Sequence, residues 1–241
     1  MWGIVPSAGV GSRIQPLAFS KELLPVGSRR EGDDERPRAV SEYLVDRMVF
    51  AGVTRVCFVV APGKSDIVDY YGAEAGGRPA TYVVQPRPVG LCDAIFRALP
   101  LIRPEEQVVV GLPDTLWFPE HGLRQLGDGG LSFLCFPVAD PQRYDAVISG
   151  EDGEVREIRV KHQDPGSSWV WGAFKLDGAT LRALHDLWLS RGREDVSVGT
   201  LVNAWLSHGG SARAVRGGEL YLDVGRVGGY REAVRVLAER G

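Results

Sequence analysis

Two glycines, an arginine and a lysine near the N-terminus are the residues of this chain best suited to chemistry. A short apolar run, Trp2-Gly3-Ile4-Val5, leads through Pro6-Ser7-Ala8 into Gly9-Val10-Gly11-Ser12-Arg13. The chain continues past Pro16 to Lys21-Glu22-Leu23-Leu24-Pro25. Glycines let backbone N–H groups approach an anion closely, and cations just downstream add fixed positive charge. At a strand end, that combination suits a polyphosphate. The texture excludes two common phosphate loops. Pro16 and Pro25 prevent the early helix of a dinucleotide fingerprint, and the second strand ends in Ala61-Pro62-Gly63 without the acid such a site needs. No Gly-Lys-Ser/Thr follows, so it is not a Walker loop.

A loop of this kind needs a sheet to present it, and the sequence supplies one. Residues 2–5, 55–61, 80–84, 107–112 and 131–137 read as strands, with helices between them at 39–51, 64–71, 90–99 and 119–126. Runs such as Val56-Cys57-Phe58-Val59-Val60 and Val108-Val109-Val110 are apolar without alternation, as in parallel strands covered on both faces. The second half changes character. A hairpin over 146–149 and 154–160 turns at Glu151-Asp152-Gly153. A strand at 169–176, helices at 178–191 and 196–208, short strands at 212–216 and 219–223, and a helix at 228–239 follow. The expected fold is α/β: a single Rossmann-like three-layer α/β/α domain over 1–241. It should have a mixed, mostly parallel sheet and a small β-rich acceptor-binding subregion. Residues 1–137 form its nucleotide half and 138–241 its acceptor half.

Bulk properties narrow the partners. The 241 residues are 44% hydrophobic and 24% charged, with a net charge of −3, which suits a globular protein and argues against a duplex nucleic-acid binder. No apolar run reaches the roughly 18–20 residues of a membrane span, and no secretory leader is visible, so a cytoplasmic location is expected. Cys57, Cys92 and Cys135 are far apart and read as buried free thiols; the four histidines show no metal-ligand spacing with them. The charge-rich 29–38 segment reads as a solvated, mobile loop, or, more sharply, as a lid over the phosphate loop.

Gly9-x-Gly11-x-Arg13-x-x-Pro16, followed by Lys21-x-x-x-Pro25-Val26, resembles the signature of the nucleoside-diphosphate-sugar pyrophosphorylases. These are the sugar-1-phosphate nucleotidyltransferases, with glucose-1-phosphate thymidylyltransferases a close comparison. Further matches follow in order: Gln85 to Ala94 with Gly90-Leu91, Asp114 after an apolar strand, and Tyr221-Leu222-Asp223-Val224-Gly225. The resemblance implies transfer of a nucleotidyl group from a nucleoside triphosphate to a phosphorylated acceptor, releasing pyrophosphate. Ala8, Gly9, Gly11, Ser12, Arg13, Gln85, Gly90 and Asp114 would bind the nucleotide. Arg13, Lys21 and Lys161 would be catalytic, and Asp114 with Asp223 would hold Mg²⁺. By residue type alone, Asp114 could equally cap the helix near 119 or shape its own turn. The acceptor's phosphate has a second pKa of about 6 and is already anionic, so no strong base is needed; positioning and charge neutralisation do the work.

Asp145, Val160, Lys161, Trp171 and Gly172 fall in the implied acceptor pocket, and there the chain departs from the family. Asp145 stands where glycine is usual, Val160 replaces a glutamate that accepts hydrogen bonds from sugar hydroxyls, and Trp171 precedes Gly172. Leu112-Pro113 stands before Asp114 in place of the usual glycine. The departures imply an acceptor unlike glucose 1-phosphate: a deoxygenated or amino sugar phosphate, or a non-sugar phosphate or phosphonate. dTTP, UTP and CTP all remain open. Two rival readings are a cytidylyltransferase for a phosphorylated amino alcohol, with Trp169, Trp171 and Asp145 around its cation, and a catalytically silent nucleotide-sugar-binding regulator.

Overall fold

The computed structural model describes residues 1–240. The first half contributes β1 (Trp2–Pro6), β2 (Pro25–Glu31), β3 (Asp34–Ala39), α1 (Val40–Phe50), β4 (Arg55–Val60), α2 (Ser65–Tyr71) and β5 (Glu74–Ala75). It continues with β6 (Arg78–Val84), α3 (Leu91–Arg97), β7 (Gln107–Gly111), β8 (Thr115–Phe118) and β9 (Leu131–Pro137). The second half adds β10 (Asp145–Ser149), β11 (Val155–Val160), β12 (Trp169–Asp177), α4 (Gly178–Ser190) and α5 (Val198–Ser207). β13 (Ala212–Val215), β14 (Leu220–Asp223) and α6 (Val227–Arg240) complete it.

The apolar runs form the middle of a ten-stranded mixed sheet in the order β11-β10-β12-β7-β1-β4-β6-β5, with β9 and β13 branching from β12. Strands β7, β1, β4 and β6 are parallel, whereas β12 joins β7, β9 and β10 antiparallel. The lack of alternation has the expected cause. Ile4, Cys57, Val59, Val108 and Val110 enter a core with α3, α4 and α5 on one face. Val5, Val56, Phe58 and Val109 enter another beneath α1 and α2. A third core seats α6 on Val26, Leu116 and Val224. β1 pairs with β4 on one side and β7 on the other, so the connection reverses direction at β1. Open α/β sheets bind ligands at such a point, beyond the strands' C-terminal ends. The glycine loop begins there.

Two elements differ from the sequence reading. Residues 29–38 are part of an antiparallel hairpin, β2–β3, rather than a loop. Its arginines are not solvated as a group: Arg29 and Arg36 pair with the buried Glu42 at 3.2 and 2.9 Å, and Arg38 with Asp46 at 2.6 Å. Both acids lie on α1, so the charge run is an anchor onto the next helix. The helix expected at 119–126 is only a 3-10 turn over Gly122–Gln125. Ahead of it stands β8, which pairs antiparallel with β14 so that Thr115 lies opposite Asp223. Cys57, Cys92 and Cys135 are buried and free, and burial pushes each thiol up to about 12. Among the described residues, no helix is long and apolar enough to cross a membrane.

Candidate active site

β1 delivers the glycine loop, β7 delivers the turn at Leu112-Pro113-Asp114, and the β8–β14 ladder brings Asp223 back to Asp114. Val224 N–H donates to the Asp114 carbonyl at 2.9 Å, which fixes the two acids side by side. Each carries a cation from the loop. Arg13 Nη1 donates to Asp223 Oδ2 at 2.7 Å, and Lys21 Nζ to Asp114 Oδ2 at 2.5 Å. Burial alone would raise the Asp114 carboxyl, yet the charges of Lys21 and Arg13 hold it below its usual range. Burial would likewise lower the Lys21 ammonium, but Asp114 and Glu22 carry it above its ordinary value.

The glycines here answer to space. Gly11 has φ +70°, and a Cβ on it would meet Lys21 Cδ at 2.8 Å, so the loop lies directly on the lysine stem. A Cβ on Gly225 would come within 2.7 Å of Asp114 Oδ2 and 3.0 Å of Asp223 Oδ1. Both carboxylates therefore converge on the space in front of Gly225. Among the described residues there is no cluster of three or more His, Cys, Asp or Glu side chains suited to a metal. A hard ion that keeps waters and phosphate oxygens among its ligands needs no such cluster, and two convergent carboxylates fit Mg²⁺.

The site opens into two compartments. One, of about 410 Å³, is lined by Ala8, Gly9, Arg13, Lys21, Gln85 and Asp114, among others. The second, of about 330 Å³, is lined by Arg143, Asp145, Lys161, Trp171, Ser197 and Asp223, among others. Arg13, Gly90, Leu91, Leu112 and Asp114 border both, so Arg13 and Asp114 sit at the seam, with Lys21 on the first side and Asp223 on the second. Gln85 is 2% exposed. Its amide nitrogen donates to Gly90 O at 3.0 Å and to Asp93 Oδ2 at 2.8 Å. Both partners are acceptors, so the orientation of the amide is determined. Lys161 follows β11 at φ +45°, and its N–H donates to Tyr144 O at 2.9 Å, which holds it beside Asp145 at the hairpin's open end.

Several expected site residues lie elsewhere. Gly11 and Ser12 line neither compartment, and Ser12 is exposed. Val160 turns its Cγ2 onto Gly199 at the start of α5. Gly172 sits at the irregularity in the β9–β12 ladder, where a Cβ would strike Tyr221 and Phe136, so packing explains it. Trp169 is outside the cleft with the Arg216 guanidinium over its ring at 5.5 Å, which removes one wall of the expected cation box. Residues 29–38 border neither compartment. Sequence reasoning missed Arg143, Tyr144, Val196 and Ser197 as cleft residues. Their only sequence signal is adjacency to Asp145 and to the N-terminus of α5.

This arrangement, a glycine-loop anion cradle joined to two carboxylates between two pockets at a sheet switch point, is that of a phosphoryl-group-transferring α/β enzyme. The chain belongs to the nucleotidyl transferase family, whose description matches residues 2–240. It is 27% identical to the UTP–glucose-1-phosphate uridylyltransferase AglF of Haloferax volcanii, over 99% of this chain and 97% of that protein. It is 26% identical to the glucose-1-phosphate thymidylyltransferase of Neisseria gonorrhoeae, over 97% of this chain and 81% of that one. The UTP-bound UGPase of Acinetobacter baumannii superposes with a TM-score of 0.79 at 20% identity, covering 100% of this chain and 94% of that one, and shares the fold. The resemblance read from the motifs is thereby borne out.

Proposed function

We propose that this protein joins a uridine or thymidine triphosphate to a sugar 1-phosphate, with Mg²⁺, and releases pyrophosphate. The observation that carries the reading is the pairing of Arg13 with Asp223 and of Lys21 with Asp114, with Arg13 and Asp114 bordering both compartments. A nucleotidyl transfer needs a triphosphate on one side, an anionic acceptor on the other, and charge neutralisation where they meet. The names of the relatives supply the substrate class by analogy.

The chain's residues divide the work by position. Gly11 supports the Lys21 stem, and Gly9 offers its backbone N–H to the triphosphate. Lys21 holds its oxygens, and Arg13 neutralises the departing pyrophosphate. Lys161 and Arg143 face the other compartment and hold the acceptor's phosphate against the α-phosphorus. One acceptor phosphate oxygen forms the new bond to that phosphorus as the bond to pyrophosphate breaks. Asp114 and Asp223 would hold Mg²⁺ in front of Gly225, where it supplies the positive charge that lets two anions approach. Gln85 supports the choice of base. With its N–H bonds spent on Gly90 and Asp93, its carbonyl oxygen is the group left to read a base, and it suits the N3–H of uracil or thymine rather than the bare N3 of cytosine.

The test is a matrix of nucleoside triphosphates against sugar 1-phosphates with pyrophosphate detection, with and without Mg²⁺. Pyrophosphate release with UTP or dTTP, abolished by chelation, is expected. Silence across the matrix, with nucleotide still bound, would defeat the reading.

A further inference from the structure

The Gln85 amide is held from behind by a residue that lines neither compartment. Asp93 lies in the first turn of α3 and is 5% exposed. Its carboxylate accepts from the Gln85 amide nitrogen at 2.8 Å, and from Arg97, one turn further on, at 2.9 and 3.2 Å. Arg97 can only donate, so its two contacts hold Asp93 as a carboxylate that only accepts. The amide's other acceptor, Gly90 O at 3.0 Å, is fixed as firmly. The neighbouring Leu91 N–H donates to Val196 O at 2.8 Å, and a Cβ on Gly90 would strike the Val196 backbone at 2.8 Å. The Gln85 backbone N–H donates to Val60 O at 2.8 Å, which ties the residue to the end of β4. Both amide hydrogens are thus committed to immobile acceptors. The amide oxygen has no donor among the described residues and is not sealed from the nucleotide compartment that Gln85 lines.

We propose that Asp93, braced by Arg97, is a positioning residue that sets the base: it keeps the Gln85 oxygen toward the nucleotide and so selects uracil or thymine over cytosine. The proposal rests on the nucleotidyl-transfer reading of the cleft and deepens it. The choice of base then lies with a side chain that never touches the base. The two ends of an amide are nearly the same size, so its partners decide which end faces a ligand. With its oxygen forward, Gln85 accepts from the N3–H of uracil or thymine. With its nitrogen forward, it would donate to the bare N3 of cytosine. The reversed amide would press its oxygen against Gly90 O and the Asp93 carboxylate, neither of which can donate. Asparagine at position 93 lifts that ban, because its own amide offers Gln85 either an oxygen or an N–H. Leucine lifts half of it by offering neither, so that Gly90 O alone holds the amide.

The test is equilibrium binding of UTP and CTP, with Mg²⁺ and no acceptor, to the full chain by calorimetry. It compares the wild type with Asp93→Asn and Asp93→Leu. The wild type is expected to prefer UTP by about 100-fold or more. Each variant should lower that ratio by about tenfold or more, and Asp93→Asn should bind CTP more tightly than the wild type does. Damage to the fold weakens both nucleotides and cannot produce that gain. Asp93→Asn is isosteric, so it carries the test even if the leucine variant does not fold. In a Gln85→Leu background the same substitutions should leave the ratio unchanged, because the side chain they act through is gone. An equal ratio in wild type and variants would overturn the proposal. So would a ratio lowered only through weaker UTP binding, or a wild type indifferent to the base. Pyrophosphate release from a sugar 1-phosphate with an unaltered ratio in the variants defeats the role of Asp93 alone. The expected ratios without pyrophosphate release from any acceptor defeat the transfer reading and leave that role standing.

Discussion

Gly225 shows how small a change the site can register. A methyl group there would enter the space that both Asp114 and Asp223 face and would push the Asp114 carboxylate off its place. Gly225→Ala is therefore expected to lose at least about tenfold in kcat/KM, with weaker Mg²⁺ dependence in a metal titration. Wild-type activity would refute the shared-carboxylate seat. Arg13 is largely exposed, so Arg13→Ala should cost about 10²–10³ in kcat with little effect on stability. Asp145 carries a pH signature. Its carboxyl titrates above the ordinary value when folded, so the folded chain holds the proton more tightly than the unfolded one. Stability from this group is then greatest in acid and falls as pH rises through the raised pKa. Asp145→Asn should be more stable than wild type at neutral pH, and the advantage should vanish below about pH 4 in urea titrations. An unchanged gap across that range would show that Asp145 does not titrate as described.

Lys21 is aimed by elements that never touch a ligand. Asp66, on α2, accepts from Ser20 N at 2.5 Å and Ser20 Oγ at 2.7 Å. Lys64, just before α2, donates to the Ser7 carbonyl at 2.7 Å and to both Glu22 oxygens at 2.9 and 2.8 Å. The residues on either side of Lys21 are thus clamped to one helix start, which also ties down the end of β1. Glu22 is 1% exposed, so Lys64→Met takes from a buried carboxylate its only hydrogen-bonded cation and leaves it to the charge of Lys21, at up to about 3–5 kcal/mol. The double variant Glu22→Leu/Lys64→Met should recover much of that loss in urea unfolding; equal loss in both would refute the ion-pair account. The elements also mark the limits of sequence reading. The parallel strands were legible because burial on both faces leaves an unbroken apolar run. The β2–β3 hairpin was not, because its arginines find their acids on α1, and only the fold reveals a charge partner. β8 was missed because its partner, β14, comes about a hundred residues later and no local pattern announces the pairing.

The two compartments predict a separation of kinetic effects across the molecule. Lys21→Ala should raise the KM for nucleotide by about tenfold with little change in that for acceptor, and Lys161→Ala should do the reverse. A variant that moved both together would place the two substrates in one undivided pocket. Arg13, Lys21, Asp114 and Asp223, which the fold brings together, were legible from motifs in order along the chain. The register was hidden, and with it the facts that Asp145 faces Val160, adjoins Trp171, and shares a wall with Arg143 and Ser197. Register depends on pairing between distant strands, which one sequence does not state. Arg13 and Asp223 meet across 210 residues of chain. A growing polypeptide makes its glycine loop 210 residues before Asp223, so until then Arg13 has no Asp223 to pair with. Asp223 reaches Asp114 only once β14 has left the ribosome and found β8. Metal-dependent nucleotide binding by stalled nascent chains of increasing length should therefore appear abruptly once β14 has emerged, as a built-in report that the β8–β14 pair has formed.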